Sequence, residues 1–503
     1  MRRVSHSPGT SVWFAFGLVA CAAAPKPALP PPAKAPPVVA ASVMPVAPSA
    51  APAAPLPPNP YVTRYADAAQ RIRDAAAASD RAYSRLAELT DTIGPRLSGS
   101  DALQRATVWA KESFLADGQE RVALEAVRVP HWVRGGAAAA VLEPVARPFE
   151  VLALGGSVAT PARGITAELI AVGSFAELDA RKAEARGKIV LFDHPMGKEG
   201  NAGMNYGEAL PYRTTGAARA APLGAVAVLV RSLTAHSLGS PHTGSMRYLE
   251  PKDPKIPAAS ISVETAEWLH RLANGTAKVK LTLTLTPKTL PDADSANVVA
   301  DLRGREHPED IVVIGAHLDS WDVGQGAQDD GSNAVCVMQA LATLRTLGLV
   351  PRRTIRAVLF TNEENGVRGG KQYAEAHRSE RHAAAFEADA GAGAPLGFMT
   401  DGEQPFLGEA QQISALLQPL GANSVMAGFA GEDIGALAPA RVPLFGLRPD
   451  ISHYFDVHHS AADTLDKIDP ENLKKTVAVL ATMAFVVADQ EATWVSKVAS
   501  TPK

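Results

Sequence analysis

Five stretches in the second half of the chain carry imidazole and carboxylate side chains: His317-Leu318-Asp319, Asp329-Asp330, Glu363-Glu364, Asp389 and His458-His459-Ser460. Adjacent acids alone carry no weight. With 52 acidic residues in 503 positions, about five such pairs arise by chance if positions are independent. The chain has four, the other two being Glu309-Asp310 and Glu432-Asp433. The combination of residue types says more. Two divalent ions bring four positive charges, which three carboxylates and a bridging hydroxide would neutralise, with two neutral imidazoles completing the shells. His317, Asp329, Glu364, Asp389 and His459 supply that set. Nitrogen and oxygen ligands without thiolate suit zinc first, with cobalt or manganese as substitutes. Metals roughly 3.5–4 Å apart share one carboxylate and one water, and the acidified water becomes a nucleophile near neutral pH.

The elements that must position these residues follow from periodicity. Ile311 to Ala316 reads as a continuous apolar strand running into His317-Leu318-Asp319. Thr354 to Thr361 reads as a strand running into Glu363-Glu364, and Ala383 to Glu387 as one that stops just before Asp389. Val442 to Leu447 is a late strand, followed after a loop by His458-His459-Ser460. Asp329-Asp330 lies in the glycine-rich loop between the first of these strands and a helix over Asn333 to Leu347. Further helices are expected over Gly370 to His377 and Pro470 to Asp489. Apolar strands alternating with helices predict the fold class α/β, with a mostly parallel sheet flanked by helices. In open sheets of this kind ligands gather beyond the carboxyl ends of the strands, which is where the candidates fall.

Upstream, Tyr65 to Leu89 reads as one helix, Gly94-Pro95 breaks it, and Asp101 caps a second helix reaching about Leu115. Residues 127–287 read differently, as short strands with turn signals between them. Lys188 to Phe192 and Ala225 to Val230 are two of these, Lys278 to Thr286 alternates strictly, and Gly216 to Ala221 is a short helix. This stretch is expected to be a β-rich domain inserted between residues 61–126 and 288–503, with an independent all-β domain as the alternative.

The length of 503 residues implies two or more domains, and 46% hydrophobic residues suffice to bury cores. A net charge of −3 without a basic run argues against nucleic acid as a partner. The two cysteines, Cys21 and Cys336, exclude a thiolate metal site. Residues 1–21 read as a lipoprotein signal peptide: Arg2 and Arg3 are followed by a short apolar stretch ending in Leu18-Val19-Ala20-Cys21, which resembles a bacterial lipobox. Cys21 would then carry lipid, giving export across the inner membrane and an anchor facing the periplasm, with Ala22 favouring the outer membrane. Residues 22–60, rich in Ala and Pro, read as an extended tether. Cys336 lies on the apolar face of a helix and is expected in the core.

Together the motifs resemble a known family. The stretches Gly315 to Ala327, Asp329-Asp330-Gly331, Thr361 to Gly366, Glu387 to Gly391 and His458-His459-Ser460 with Asp463-Thr464 are similar to those of the co-catalytic zinc exopeptidases. That group includes bacterial zinc aminopeptidases and glutamate carboxypeptidases, and the latter branch is the nearer likeness. Gly94-Pro95-Arg96 and Ser98-Gly99-Ser100 also fit. The resemblance spans Tyr61 to the last helix and implies a phosphorylase/hydrolase-like fold. It further implies two zinc ions per chain, His317 and Asp389 on one, Glu364 and His459 on the other, with Asp329 between them. Asp319 would orient His317, Glu363 would be the general base, and Asp330 would be structural. His458 is the alternative to His459, which is preferred because it directly precedes Ser460.

The implied activity is hydrolysis of terminal bonds in short peptides, as a dipeptidase or carboxypeptidase. An aminopeptidase is the alternative within the family, and a non-catalytic metal- or peptide-binding lipoprotein the alternative outside it. A homodimer is compatible with this reading. The β-rich insert resembles a protease-associated domain, which would cap the cleft; a plain spacer or dimerisation domain is the competing view. Trp321 is expected to pack near the site, and Glu432-Asp433 to cap a short helix. His131, His194, His236, His242, His270, His307 and His453 receive no role.

Overall fold

The computed structural model describes residues 58–491 except 237–238, 250–251, 253 and 403–405. The expected signal peptide, Cys21 and the linker up to residue 57 lie outside the described residues. The chain from residue 58 onward builds two eight-stranded sheets. The first strand, β1 (Glu120–Val133), belongs to one sheet. The next eight all belong to the other: β2 (Ala137–Glu143), β3 (Arg147–Phe149), β4 (Leu152–Ala153), β5 (Ile165–Val172), β6 (Ile189–Phe192), β7 (Ala227–Arg231), β8 (Ala258–Ile261) and β9 (Lys280–Leu285). The chain then returns to the first sheet with β10 (Lys288–Leu302), β11 (His307–His317), β12 (Arg353–Phe360), β13 (Arg381–Glu387), β14 (Pro395–Thr400), β15 (Ser424–Ala427) and β16 (Leu444–Pro449).

The first sheet has the order β1-β10-β12-β11-β13-β16-β14-β15. Its middle strands β12, β11, β13 and β16 are mutually parallel, as the apolar runs predict. Successive residues of a strand face opposite sides. Val312 and Ile314 therefore enter one core with the buried helices Ser332–Thr346 and Pro470–Asp489, while Ile311 and Val313 enter another with Phe360, Tyr373 and Ile434. Cys336 is fully buried in the first of these cores. β1 pairs antiparallel with β10 from Glu120↔Asp301 out to Val133↔Lys288, and the excursion through the second sheet begins and ends at that last pair. Residue 127 thus sits within β1.

The second sheet, in the order β3-β2-β9-β5-β6-β7-β8-β4, has apolar cores on both faces. Each core receives an aromatic side chain from outside the excursion: Trp321 on one face and Phe455 on the other.

Three local expectations change. The helix expected over Tyr65 to Leu89 is two, Pro60–Ala77 and Arg81–Glu88. Ser79 and Asp80 lie at the break, where short polar side chains compete for backbone bonds; Ser79 Oγ accepts from Arg81 N at 3.3 Å. Ser100, not Asp101, caps the helix Asp101–Ala116, accepting from Leu103 N at 3.1 Å. The short helix expected over Gly216 to Ala221 is a nineteen-residue one, Ala202–Ala220, capped by Asn201. Gly203, Gly207 and Pro211 suggest a loop, but burial of the helix's Ala209, Arg213 and Ala217 side outweighs the one bond that Pro211 cannot donate. No helix among the described residues is long and apolar enough to cross a membrane.

Candidate metal centre

The strands of the first sheet end together, and the candidates cluster there. His317 is the last residue of β11, and Asp389 lies two positions beyond β13. Asn362 follows β12 in a left-handed conformation (φ 68°), which Asn tolerates, and turns the chain so that Glu363 and Glu364 follow. Its amide donates to Ser98 Oγ at 2.9 Å. Asp329 lies in the tight turn Ala327–Gly331 that opens the buried helix, and His459 follows the single-turn helix Tyr454–Val457.

The two oxygens of Asp329 face different imidazoles. Oδ1 is 3.2 Å from His317 Nε2, and Oδ2 is 3.1 Å from His459 Nε2. On the first side Asp389 Oδ1 stands 3.4 Å from His317 Nε2; on the second Glu364 Oε2 stands 3.0 Å from His459 Nε2. The structure therefore brings all five predicted ligands together, in two groups that meet at Asp329. His458 Nε2 reaches Asp329 Oδ2 at 3.4 Å and its ring stacks on His459, but it makes no ion-pair contact with Glu364 among the described residues.

Two buried atoms test whether a cation suits this arrangement. His317 Nε2 and Asp329 Oδ2 have no partner in hydrogen-bond geometry. Leaving such atoms unpaired costs roughly 1–3 kcal/mol each, and both offer a lone pair to an ion. Electrostatics agrees. Burial, then the charge of Asp329, pushes the Glu364 carboxyl well above its ordinary range; burial, then Asp389, does the same to Glu363. His317 goes against its burial: Asp389 and Asp329 lift it well above an ordinary histidine. Without metal, protons gather where the excess negative charge asks for cations. The residues present fit a pair of divalent ions.

The supporting contacts are mostly backbone. Glu364 Oε1 accepts from Trp321 N at 3.1 Å, and Trp321 packs edge-on against His459. The short contact of His317 Nδ1 is to the carbonyl of Asp319, at 2.9 Å; the Asp319 carboxylate is 3.7 Å away and instead accepts from Glu363 N at 3.1 Å. Asp330 Oδ2 accepts from His317 N at 3.2 Å, and Oδ1 accepts from Asn333 Nδ2 at 2.7 Å. Glu432-Asp433 does not cap its helix through its own side chains. The buried Glu387 carboxylate accepts from the backbone of Glu432 and Ile434 at 2.9 and 2.7 Å, and burial moves it up to about 8.

Other contributors had no assigned role in the sequence. Asp463 Oδ1 accepts from Ala327 N and Gln328 N at 3.0 and 2.6 Å, and its Oδ2 accepts from Asp329 N at 3.2 Å. Arg96, fully buried, donates to the carbonyls of Leu318, Gly94, Gln325 and Gly326 at 2.8–2.9 Å. Both lie in motifs quoted above, which is the only signal the sequence carries for them. Arg213 and Thr243, from the excursion, touch His459 and carry no signal in spacing or type. Among the seven histidines without a role, His242 is the one next to the centre, bonded to the backbone of His458 and lowered by burial to about 4.

The sequence profile of peptidase family M28 matches residues 297–484. Carboxypeptidase Q of Homo sapiens is 44% identical over 416 residues, covering 82% of this chain and 86% of that protein. The crystal structure of a peptidase M28 precursor from Shewanella amazonensis SB2B superposes with a TM-score of 0.83 at 36% identity, covering 88% of this chain and 100% of that one. An aminopeptidase from Aneurinibacillus sp. strain AM-1 shares the fold, with a TM-score of 0.60 at 20% identity over 84% of this chain and 97% of that one.

Proposed function

We propose, from the premise that the chain belongs to peptidase family M28 and is a metallopeptidase, that it is a two-zinc exopeptidase cleaving the terminal bond of short peptides as a dipeptidase or carboxypeptidase. The observation that carries this reading is the double reach of Asp329 toward His317 and His459 at 3.2 and 3.1 Å, with an acid completing each group. His317 and Asp389 would hold one ion, His459 and Glu364 the other, and Asp329 would bridge them. His459 is favoured over His458 because its Nε2 lies against both Asp329 and Glu364.

Two zinc ions, when bound, acidify a shared water and polarise the scissile carbonyl. The chain's own residues do the rest. Glu363 is part-buried, and its backbone N–H is fixed by Asp319. Its carboxylate takes the proton from the attacking water and passes it to the leaving amine. Asp319 holds His317 through its carbonyl, so that Nδ1 carries the proton and Nε2 keeps its lone pair for the ion. Asp389, with a side chain 20% exposed, marks the open side from which a peptide enters.

The 44% identity to a carboxypeptidase over most of both chains supports the carboxypeptidase reading over the aminopeptidase one. The proposal includes an acyl anchor on Cys21. The deciding experiment is zinc stoichiometry measured together with hydrolysis of dipeptides, end-blocked peptides and amino-acid anilides, before and after chelation. Two zinc ions per active chain and cleavage of peptides with a free carboxyl terminus are expected. Fewer than two ions at full activity, or cleavage of anilides alone, would reject the reading.

A further inference from the structure

The second sheet does more than stand beside the metal centre. Two loops that carry or flank the ligands are clasped by it. Trp321, two residues beyond Asp319, is buried in one of its cores, and Phe455, four residues before His459, closes the other. The direct link is at His459. This residue is left-handed (φ 59°), an uncommon conformation for a residue with a side chain, which persists where its surroundings hold it. Thr243 imposes it from both ends: its N–H donates to His459 O at 2.8 Å, and its carbonyl lies 3.3 Å from His459 Nδ1. Arg213, on the helix Ala202–Ala220, donates Nη1–H to that same carbonyl at 3.2 Å.

Arg213 is itself built in. Only 5% of it is exposed, its guanidinium lies over the Tyr206 ring, and its Nε has no partner. Gly244 (φ 139°) makes room for it, since a Cβ there would sit 2.3 Å from the guanidinium carbon. Arg213 Nη1 also lies 3.4 Å from His459 Nδ1, but the Thr243 carbonyl is the nearer partner of both, at 3.2 and 3.3 Å, and because it can only accept it takes an N–H from each.

Resting on the two-zinc reading, we propose that Arg213 is a positioning residue for one of the two ions. By fixing the Thr243 carbonyl it makes His459 carry its proton on Nδ1 and present the Nε2 lone pair to the ion shared with Glu364. The excursion would therefore set the metal affinity of that half of the centre, whatever it does for substrate.

The test is zinc titration of the full chain against a chromophoric chelator, for the wild type and for Arg213→Ala, Arg213→Gln and Gly244→Ala, with far-UV circular dichroism as the folding control. In folded variants one zinc should bind about 10–100-fold more weakly, the usual effect of removing a partner that orients a ligand, while the other keeps wild-type affinity. Cobalt substitution should show the same loss as one missing set of absorption bands. Folded variants that bind both ions with wild-type affinity would overturn the proposal, and so would failure of all three to fold, which would make Arg213 a folding residue. A wild type that binds fewer than two ions would instead reject the two-zinc reading.

Discussion

Asp463→Asn separates the support of Asp329 from every other contact in the centre. In the wild type the carboxylate takes three successive backbone N–H groups, Ala327 and Gln328 on Oδ1 and Asp329 on Oδ2. Asparagine keeps one acceptor oxygen and places an NH2 against the third donor. Losing one hydrogen bond to a charged acceptor costs about 1.5–3 kcal/mol, and a buried N–H without a partner about 1–3 kcal/mol more. Part of this is offset, because Asp463 pays for its own burial, which raises it to about 7. A net loss of about 2–3 kcal/mol is expected, read by denaturant melts in excess chelator. The effect on metal should differ from that at Arg213. Asp329 belongs to both ligand groups, so both zinc ions should weaken together, by about 10–100-fold. Folded Asp463→Asn protein that binds both ions as the wild type does, or that loses only one, would refute the reasoning.

Glu363→Gln should keep both zinc ions and lose at least about 100-fold in kcat, the low end for removing a general base; unchanged turnover would place the base elsewhere. Chelation should lower the melting temperature as well as activity, since each ion adds about 2.7 kcal/mol when its free concentration is 100 times its Kd; an unchanged melt would mean that the buried acids need no cation. His377 tests charge far from the metal. Its contacts with Glu125 and Glu380 at 3.0 and 3.1 Å raise it to about 9 against its burial, while His377 and Arg356 bring Glu380 down to about 2. The histidine's stabilisation is complete below pH 6.5 and lost as pH rises through 9, and the glutamate's is present above 4.5 and lost as pH falls through 2. His377→Gln should therefore cost about 1–2 kcal/mol at pH 6, after allowance for solvent screening, and little at pH 10; a pH-independent cost would contradict this. Cys21→Ala should abolish incorporation of radiolabelled palmitate by cells and release the protein from the membrane fraction; undiminished labelling would dismiss the anchor.

The parts of the fold legible in sequence were those with one dominant period. β11, β12 and β13 carry apolar runs at Ile311 to Ala316, Ala357 to Phe360 and Ala383 to Phe386 because both faces are covered there, and the last helix runs from Pro470 to Asp489 as its apolar pattern predicts. The candidate ligands stand out in the sequence because chemistry restricts their types, and the structure collects their side chains at one edge of the sheet. β1 and β15 carry no continuous pattern because these edge strands bury few of their residues, whereas β14 is interior and mostly buried but only six residues long, with Pro395 and Gly397 interrupting its run. Arg213 and Thr243 were invisible for another reason. They act through a backbone carbonyl and a backbone N–H, which any residue possesses, and only the fold says which ones meet His459.

The pairing of Val133 with Lys288 has a consequence for biosynthesis. β1 leaves the ribosome with its partner still 155 residues behind it (288 − 133), so a strand rich in free backbone donors and acceptors must wait, unpaired, for most of the intervening excursion to be made. Contacts of such sequence separation form slowly, and an unpaired strand is a template for association with another copy. The wait does not end there, because both faces of the excursion are finished by Trp321 and Phe455. A nascent chain stopped after β9 but before residue 455 has all eight strands of the second sheet but not its finished cores, and yields of truncated versions should collapse at that point rather than at the edge of any sheet.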